Sequence, residues 1–383
     1  MKFHFLCPSS NGQWDWRTPD GPGISGSETL VVEISRRLAA RGHDVRVYAD
    51  TPDDVTDCGT VRWGSIKGEL DLTEDGAWWL CRAPDALDHF QPTADQLLFL
   101  RCDDIHYGTG NAPTALNPER YRKLRGVLAM TPPHKEFLQR FYPFLEPAKV
   151  FTPGGGICSD RIAAMPPVKR DPYRMIWASD PGRGLENTIK IFHQVRQRWP
   201  MLTLHVYYGW QGYEAALRND PQSPLRGLRE RIMATDQTGI VWHGMVNRET
   251  LWRAYQESSL MPYCTNFPET GCVVAQEAQA FGVIPLCPPS FALGHVVRNG
   301  ILIQGDAEDP LTHRRYADAI EWLLLHRTEA DQIRNAARVH ARAEYDIEKT
   351  VDLHERLADC LSPMLIRTLL GETSTIEQWR EWS

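Results

Sequence analysis

Short apolar runs alternate with helix-period repeats along the first part of the chain. The run Lys2–Cys7 is followed by a long loop, an amphipathic repeat from Leu30 to Leu38 and a second run at Asp44–Ala49. Further apolar runs lie at residues 78–81, 97–101, 126–130 and 149–151. A strand, a turn, a helix and a strand in this order form a βαβ unit, so the pattern predicts a parallel sheet.

A second alternation of the same kind begins near residue 175. Apolar runs that predict strands lie at residues 175–178, 202–207, 240–243, 260–263, 283–286 and 300–303. Helical repeats are predicted between them, including one capped by Asn247 and a polar one at 221–235. Residues 312–362 are also predicted to be helical, and the tail 363–383 to form one or two more amphipathic helices.

A glycine-rich break separates the two alternations. Gly154, Gly155 and Gly156 interrupt the pattern and, with Pro166 and Pro167 close behind, indicate a hinge or linker. The sequence therefore predicts an α/β protein of two doubly wound domains, 1–168 and 169–362. Ligands bind at the carboxyl edges of such sheets, so we expect a cleft where the two halves face one another.

The most informative stretch is residues 267–282, which lies between two predicted strands. Val273, Val274, Ala278 and Phe281 repeat at helical spacing, and Gly282 follows where a helix end favours a left-handed residue. Glu277 falls on the same apolar face, where an unpaired carboxylate costs several kcal/mol. The sequence therefore predicts that a ligand hydroxyl or a basic side chain meets Glu277.

The start of this helix has the features of a phosphate site. Backbone N–H groups at residues 270–272 are left without helical partners, and such ends attract anions. Glu269 and Glu277 flank this end, which suggests a phosphate between two polyols, the form of a nucleotide sugar. The alternative is that Glu277 pairs with a nearby arginine and that Glu269 is solvated.

Two other loops follow predicted strands and so belong to the expected cleft. The glycine loop at 21–28 does not match G-x-G-x-x-G, and it either contacts a ligand or only forms a tight turn. Asp104 and His106 follow the run at 97–101 and either face the cleft or hydrogen-bond to each other.

Composition limits the class of protein. The 383 residues carry a net charge of −7, which argues against nucleic-acid binding, and no apolar run is long enough to span a membrane. The N-terminal run is too short for a signal peptide. Nine scattered cysteines without a C-x-x-C pair fit reduced thiols, so we expect a cytoplasmic protein.

In their order and spacing, four landmarks resemble glycosyltransferases of the GT-B fold, specifically the retaining family 4 type, over nearly the full chain. Residues 23–28 match the family's N-terminal glycine loop, and residues 153–157 approximate its Pro-Asn-Gly-Val-Asp turn. Arg183-Gly184-Leu185 matches its basic residue in a Lys-Gly-Leu context. Glu269 and Glu277 match its Glu-x7-Glu pattern.

The resemblance implies transfer of a sugar, a hexose or a related one, from a nucleoside diphosphate sugar to an acceptor with retention of anomeric configuration. UDP and GDP are the expected nucleotides. Residues 169–362 would form a Rossmann-like donor domain and residues 1–168 an acceptor-side domain joined by the tail 363–383, with C-terminal helices crossing back. The acceptor is left open among a glycan, a lipid-linked, a protein and a small-molecule substrate. The sequence has no Asp-x-Asp motif, so we expect no essential metal and no cofactor.

The resemblance also implies roles for individual residues. Arg183 and the helix N-terminus would stabilise the departing diphosphate, Glu277 would accept hydrogen bonds from ribose hydroxyls, and Glu269 would orient the sugar. The implied donor-binding residues are Gly26, Ser179, Arg183, His243, Glu269, Thr270, Gly271, Cys272, Val273 and Glu277. The implied catalytic residues are Arg183, Glu269, Asp104 and His106.

Some details depart from the family or stay open. Ala178-Ser179-Asp180 stands where the family has Gly-Arg, so one of two expected cations is missing and another basic residue or Ser179 would replace it. Cys272 replaces a glycine near the phosphate. Trp14, Trp16 and Tyr107 either stack on an acceptor sugar or only pack. Alternative functions are a nucleotide-sugar 2-epimerase of the same architecture and a non-catalytic nucleotide- or glycan-binding relative.

Overall fold

The fold consists of two parallel sheets, each covered by helices on both faces. A computed structural model describes residues 1–8, 12–68, 70–102, 116–223 and 225–360. The first sheet contains β1 Lys2–Cys7, β2 Asp44–Ala49, β3 Val61–Ser65, β4 Gly76–Cys81, β5 Gln96–Cys102, β6 Gly126–Ala129 and β7 Val150–Phe151. The second contains β8 Arg174–Trp177, β9 Thr203–Tyr207, β10 Ile240–Gly244, β11 Leu260–Pro262, β12 Ile284–Cys287 and β13 Ile301–Leu302.

The helices connect successive strands and then extend the C-terminus. They are α1 Gly26–Ala40, α2 Pro118–Arg122, α3 Pro132–Phe141, α4 Ser159–Ala164, α5 Leu185–Arg196, α6 Gln211–Asn219, α7 Leu228–Met233, α8 Arg248–Glu257, α9 Val273–Ala280, α10 Phe291–Val296, α11 Pro310–Leu325, α12 Arg327–Glu344 and α13 Ile347–Cys360. The prediction of two doubly wound α/β halves is confirmed, and so is each predicted strand to within a few residues.

One strand and one helix were missed. Strand β3 was not predicted, because its short alternating pattern contains a glycine and lies at the sheet edge. Helix α6 was also not predicted, whereas the polar helix predicted within 221–235 is confirmed at Leu228–Met233. The predicted tail helices at 363–383 lie outside the described residues.

Strand order places the candidate site. The sheets run β3-β2-β1-β4-β5-β6-β7 and β10-β9-β8-β11-β12-β13, so each reverses direction beside its first strand. In open parallel sheets ligands bind at this reversal, beyond the carboxyl ends of the strands. A ligand site is therefore expected at the loops that follow β1, β4, β8 and β11.

The glycine-rich connection between the sheets is closely packed. A Cβ at Gly155 would overlap the backbone of Tyr345, and one at Gly156 would overlap Leu30. The Gly156 N–H donates to Gln276 Oε1 at 3.1 Å. These glycines are therefore needed for close approach of backbone to helices, in addition to any role as a linker.

The C-terminal helix α13 returns to the first domain and lies against α1. Arg37 and Arg41 of α1 bond to Glu348, and Arg41 also bonds to Asp352 at 2.7 Å. The crossing back of C-terminal helices is thus confirmed for residues up to 360. The exact domain boundary at 168 stays a prediction.

A buried charge cluster joins the two domains. Glu33 of α1 is 2% exposed and accepts from Arg248 of α8 at 2.5 Å and from Arg161 at 2.8 Å, and it also bonds to Arg37. Burial would raise the pKa of Glu33, but the attraction of these arginines outweighs it and lowers the pKa to about 2. The carboxylate therefore links α1 to α8 only while it is ionised.

We expect this cluster to make stability fall in acid. Because the pKa of Glu33 is lower in the folded than in the unfolded chain, its contribution is complete above the unfolded value of 4.5 and is lost as the pH falls towards 2. The shift corresponds to about 3 kcal/mol. Urea unfolding at pH 6, 4 and 3 measures this loss of folding stability. The Glu33→Gln variant should be less stable at pH 6 and show a flatter pH dependence than the wild type. Equal pH slopes for the two proteins would refute the assignment, and Glu344→Gln, at an exposed ion pair, is the control.

Candidate active site

A groove between the domains lies at the reversal points of both sheets. Its larger cavity, of about 300 Å³, is lined by residues that include Ser25, Gly26, Arg82, Met130, Ser179, Asp180, Arg183, Tyr208 and residues 267–274. An adjoining cavity of about 110 Å³ is lined by residues that include Gly23, Val246, Trp252, Val274 and Glu277. Ser25, Gly26, Tyr208 and Val273 line both, so the two form one continuous groove.

Glu277 projects from α9 into the smaller cavity. Its Oε1 accepts from the Trp252 indole N–H at 2.8 Å, and no arginine forms an ion pair with it within the described part of the chain. The nearby Arg248 is bonded to Glu33 instead. Burial raises the pKa of Glu277 above its usual value, against weaker opposing effects of Trp252 and Arg248. A half-buried carboxylate with accepting capacity to spare therefore faces a space that a hydroxylated ligand can enter.

Arg183 and Glu269 meet in the larger cavity. The guanidinium donates to both carboxylate oxygens, at 2.9 and 3.1 Å, and lies over the Phe267 ring. Glu269 is 3% exposed and also accepts from the Tyr263 hydroxyl at 2.5 Å. Burial disfavours the charged guanidinium, but the attraction of Glu269 prevails and raises the pKa of Arg183. The pair thus presents a fixed positive charge next to a carboxylate.

The N-terminus of α9 opens into the same cavity. Cys272 precedes the helix in a left-handed conformation, with φ 43°, and supplies no side-chain cap. Left-handed backbone favours glycine, which fits a position where the family resemblance expects one. The preceding loop is fixed across the cleft, since the Thr131 hydroxyl donates to the Thr270 carbonyl at 2.8 Å. The N–H groups at the start of this helix lie at the cavity and can therefore meet a phosphate.

Other predicted donor residues divide into two groups. Gly26, Ser179, Thr270, Gly271 and Val273 line the larger cavity. A Cβ at Gly26 would lie 3.8 Å from the Val273 Cβ, an ordinary contact, and Ser179 Oγ lies 3.0 Å from the Tyr263 hydroxyl oxygen. His243 does not belong with them. It stacks on Tyr207 and lies 3.0 Å from a His205 nitrogen on the edge of the sheet. It is not among the residues that line either cavity, and its donor contact stays a prediction.

Of the residues predicted on the acceptor side, the structure describes only Trp14 and Trp16. Asp104, His106 and Tyr107 lie outside the described residues. Trp14 is fully buried edge-on to Trp63, so it packs in the core and offers no face to a sugar. Trp16 is half-buried, with its indole N–H bonded to the Thr56 carbonyl at 2.9 Å.

Three residues of the groove were missed by the sequence reasoning. Arg82 follows β4, Asp180 follows β8 and Tyr208 follows β9, and all three line the larger cavity. Burial raises the pKa of Asp180 above its usual value, and it raises the pKa of Tyr208 to about 12 with a further contribution from the Asp180 charge. The position of each residue at a strand's carboxyl end was the available signal, since that is where such sheets bind ligands.

The glycine loop closes one side of the groove. Gly23 has φ +87°, and a Cβ there would overlap the carbonyl oxygen of Val246 in the other domain. A side chain at this point is therefore incompatible with the closed cleft.

We expect Gly23→Ala to open the cleft. The variant should show a larger radius of gyration by small-angle scattering and weaker binding of groove ligands, by roughly tenfold, for a loss on the order of 1–3 kcal/mol. Gly42→Ala is the matched control, because Gly42 has the same φ of +87° but nothing within 4 Å of its Cβ position. If both variants behave alike, left-handed strain rather than the contact with Val246 is responsible.

Part of the chain matches the model of a known protein family. Residues 182–340 match the model of the family described as glycosyl transferases group 1. The match includes Arg183, Glu269, α9 and Glu277. No curated protein sequence matches the chain significantly.

Solved structures resemble nearly the whole chain. A glycosyltransferase from Rickettsia africae has a TM-score of 0.69 at 12% identity, covering 94% of this chain and 98% of that one. Sucrose-phosphate synthase from Thermosynechococcus elongatus has a TM-score of 0.67 at 15% identity, covering 97% and 100%. Anabaena HepE, solved with UDP and glucose, has a TM-score of 0.63 at 14% identity, covering 94% and 100%. The comparisons establish the GT-B fold and support a glycosyltransferase.

Proposed function

We propose that the chain is a retaining glycosyltransferase of the family 4 type, which transfers a sugar from a nucleoside diphosphate sugar to an acceptor hydroxyl. The observation that carries the proposal is Glu277. Its carboxylate faces the groove, has no arginine partner among the described residues, and lies on the helix whose N-terminus opens into the adjoining cavity. A vicinal diol next to a phosphate satisfies both features at once.

The groove offers a place for each part of such a donor. The ribose would occupy the smaller cavity and donate hydrogen bonds to Glu277, with the diphosphate at the N-terminus of α9 and beside Arg183. The sugar would reach Glu269. The structure of HepE contains UDP and glucose, and this favours UDP among the nucleotides to be tested.

The transfer then needs little covalent chemistry from the protein. The bond between the sugar's anomeric carbon and the diphosphate oxygen breaks, and the acceptor oxygen bonds to that carbon on the same face. The acceptor's proton passes to the departing diphosphate oxygen. Arg183 and the α9 amides stabilise the negative charge that develops there, at about 1–3 kcal/mol for each contact. Asp104 and His106 stay candidates for holding the sugar or the acceptor, and Asp104 for an alternative base.

A donor screen tests the proposal. Thermal shift with UDP-, GDP-, TDP- and ADP-sugars identifies the donor, because a ligand of the folded state raises its stability. The donor is then incubated with candidate glycan, lipid-linked, peptide and small-molecule acceptors. Free diphosphate plus a glycoside of unchanged anomeric configuration supports the proposal. A converted donor indicates a 2-epimerase, and binding without turnover indicates a non-catalytic relative.

The same assay examines the proposed independence from metal. We expect equal rates with EDTA and with added Mg²⁺ or Mn²⁺, since Arg183 and a helix N-terminus supply the charge that a metal would otherwise provide. A rate that EDTA abolishes and Mg²⁺ restores would refute this part of the proposal. The described residues contain no group of three His, Cys, Asp or Glu side chains that could hold a metal ion.

We also propose a cytoplasmic location. No helix in the described ranges is long and apolar enough to cross a membrane. The scattered cysteines support the proposal of a cytoplasmic protein, and those whose side chains the structure describes form no disulfide.

A further inference from the structure

The charges around the larger cavity are nearly balanced before any donor binds. Among its described lining residues, Arg82 and Arg183 are cationic, while Asp180 and Glu269 are anionic. Arg183 donates to both oxygens of Glu269, so part of its charge is already compensated. A diphosphate needs more positive charge than Arg183 supplies alone. Asp180 stands in the segment where the resemblance expects a second cation.

Arg82 lines the same cavity as Arg183 but belongs to the other domain. It directly follows β4, the strand beside the reversal of the first sheet, and has a left-handed backbone with φ 59°. This conformation is unusual for a non-glycine residue and costs on the order of 1 kcal/mol, which is typical of functional positions. Its side chain is only 18% exposed and lines the cavity.

Buried groups hold the guanidinium of Arg82 at the cavity wall. It bonds to the carboxylate of Glu28, which is fully buried at the start of α1, and donates to the Pro8 carbonyl at 3.3 Å. The Ser25 hydroxyl bonds to the same carboxylate. Glu28 therefore orients a planar fork of N–H donors, the geometry that proteins use for phosphate.

The charge of Arg82 also reaches the other domain. The Tyr208 hydroxyl, at the end of β9, has its pKa raised by burial and by Asp180, and both Arg183 and Arg82 oppose that rise. The two arginines therefore act on one point of the groove from the two domains.

We propose that Arg82 binds the diphosphate of the donor, so that the phosphate site is completed by one cation from each domain. Glu28 acts as a positioning residue for it. The inference rests on the proposed function and deepens it, because it makes closure of the N-terminal domain part of diphosphate recognition. Binding of the diphosphate then favours the closed cleft, whereas binding of the nucleoside alone does not.

Calorimetry with UDP and GDP, each compared with its nucleoside, tests the proposal. In Arg82→Gln, the affinity for the diphosphate that binds the wild type should fall roughly 10- to 100-fold, with the nucleoside affinity changed less than twofold. Arg62→Gln, at an exposed ion pair outside the groove, is the matched control and should change neither affinity.

Each other outcome overturns the proposal. Unchanged diphosphate affinity means that Arg82 does not contact phosphate, and equal losses for diphosphate and nucleoside mean that it only holds the loops together. The nucleotide compared is the one whose sugar donor the wild type turns over, so these criteria hold whichever base it carries. If the wild type binds and turns over no donor, the proposed function itself has failed, and this inference fails with it.

A second variant keeps the test decisive if Arg82→Gln does not fold. Arg82→Lys keeps the charge and the same backbone requirement but loses the planar fork. It should bind the diphosphate about three- to tenfold more weakly than the wild type, with nucleoside affinity unchanged. Equal effects on the two ligands, or none on either, contradict the proposal.

Discussion

Replacing Glu277 with glutamine should weaken donor binding by roughly 10- to 100-fold while leaving the protein folded. The variant retains an acceptor for the Trp252 indole N–H but loses the charge that ribose hydroxyls would bond to. Hydrogen bonds to a charged group contribute about 1.5–3 kcal/mol each, so losing them corresponds to roughly 10- to 100-fold in affinity. Glu277→Ala should abolish transfer altogether.

The free energy of unfolding distinguishes a ligand-binding role of Glu277 from a structural one. Because the pKa of Glu277 is raised by burial, its ionised form is disfavoured in the folded chain, and glutamine should not lower the free energy of unfolding at pH 7. Titration calorimetry with the donor nucleotide and urea unfolding measure the two effects. Glu230→Gln, at an exposed glutamate on α7, is the control. Unchanged transfer by Glu277→Ala would remove the assignment.

Arg183→Ala should lower kcat by about 10²- to 10³-fold, the range seen when a preorganised group that stabilises developing charge is removed. It should also lower stability by about 1–3 kcal/mol, because Glu269 is buried and keeps only the Tyr263 hydroxyl as its hydrogen-bond donor of those the structure describes. Single-turnover kinetics and urea unfolding check the two parts.

The double variant Arg183→Ala/Glu269→Gln separates the effect of Arg183 on stability from its effect on the transfer rate. Removing the buried charge should recover most of the lost stability, whereas the rate should stay low because the cation is still missing. Arg226→Ala, at an exposed arginine of the same domain, should leave both unchanged. Recovery of the rate in the double variant would show that Arg183 acts only by neutralising Glu269.

The parallel strands were predictable because each is a compact apolar run bounded by loop residues. Residues 260–263 and 283–286, for example, are buried strands on either side of α9. The Glu-x7-Glu spacing was also informative, since it placed one carboxylate at the helix start and the other in the groove. Edge strand β3 was not predictable in the same way, because it is half exposed and interrupted by a glycine.

Contacts between the domains could not be read from the sequence. Glu33 and Arg248 are ordinary charged residues in the sequence, and only the fold brings them together. The same is true of Gly23, whose importance comes from Val246 in the other domain. His243, for which the resemblance implied a donor contact, stacks on Tyr207 and is not among the residues that line either cavity.

The central claim is that an acidic side chain recognises the pentose of a nucleotide. The most direct measurement compares the donor nucleotide with its 2′-deoxy and 3′-deoxy analogues, by calorimetry, in the wild type and in Glu277→Gln. We predict that removing a hydroxyl weakens binding to the wild type about tenfold or more and weakens binding to the variant by a much smaller factor. Equal losses in the two proteins, or no loss in the wild type, would contradict the account.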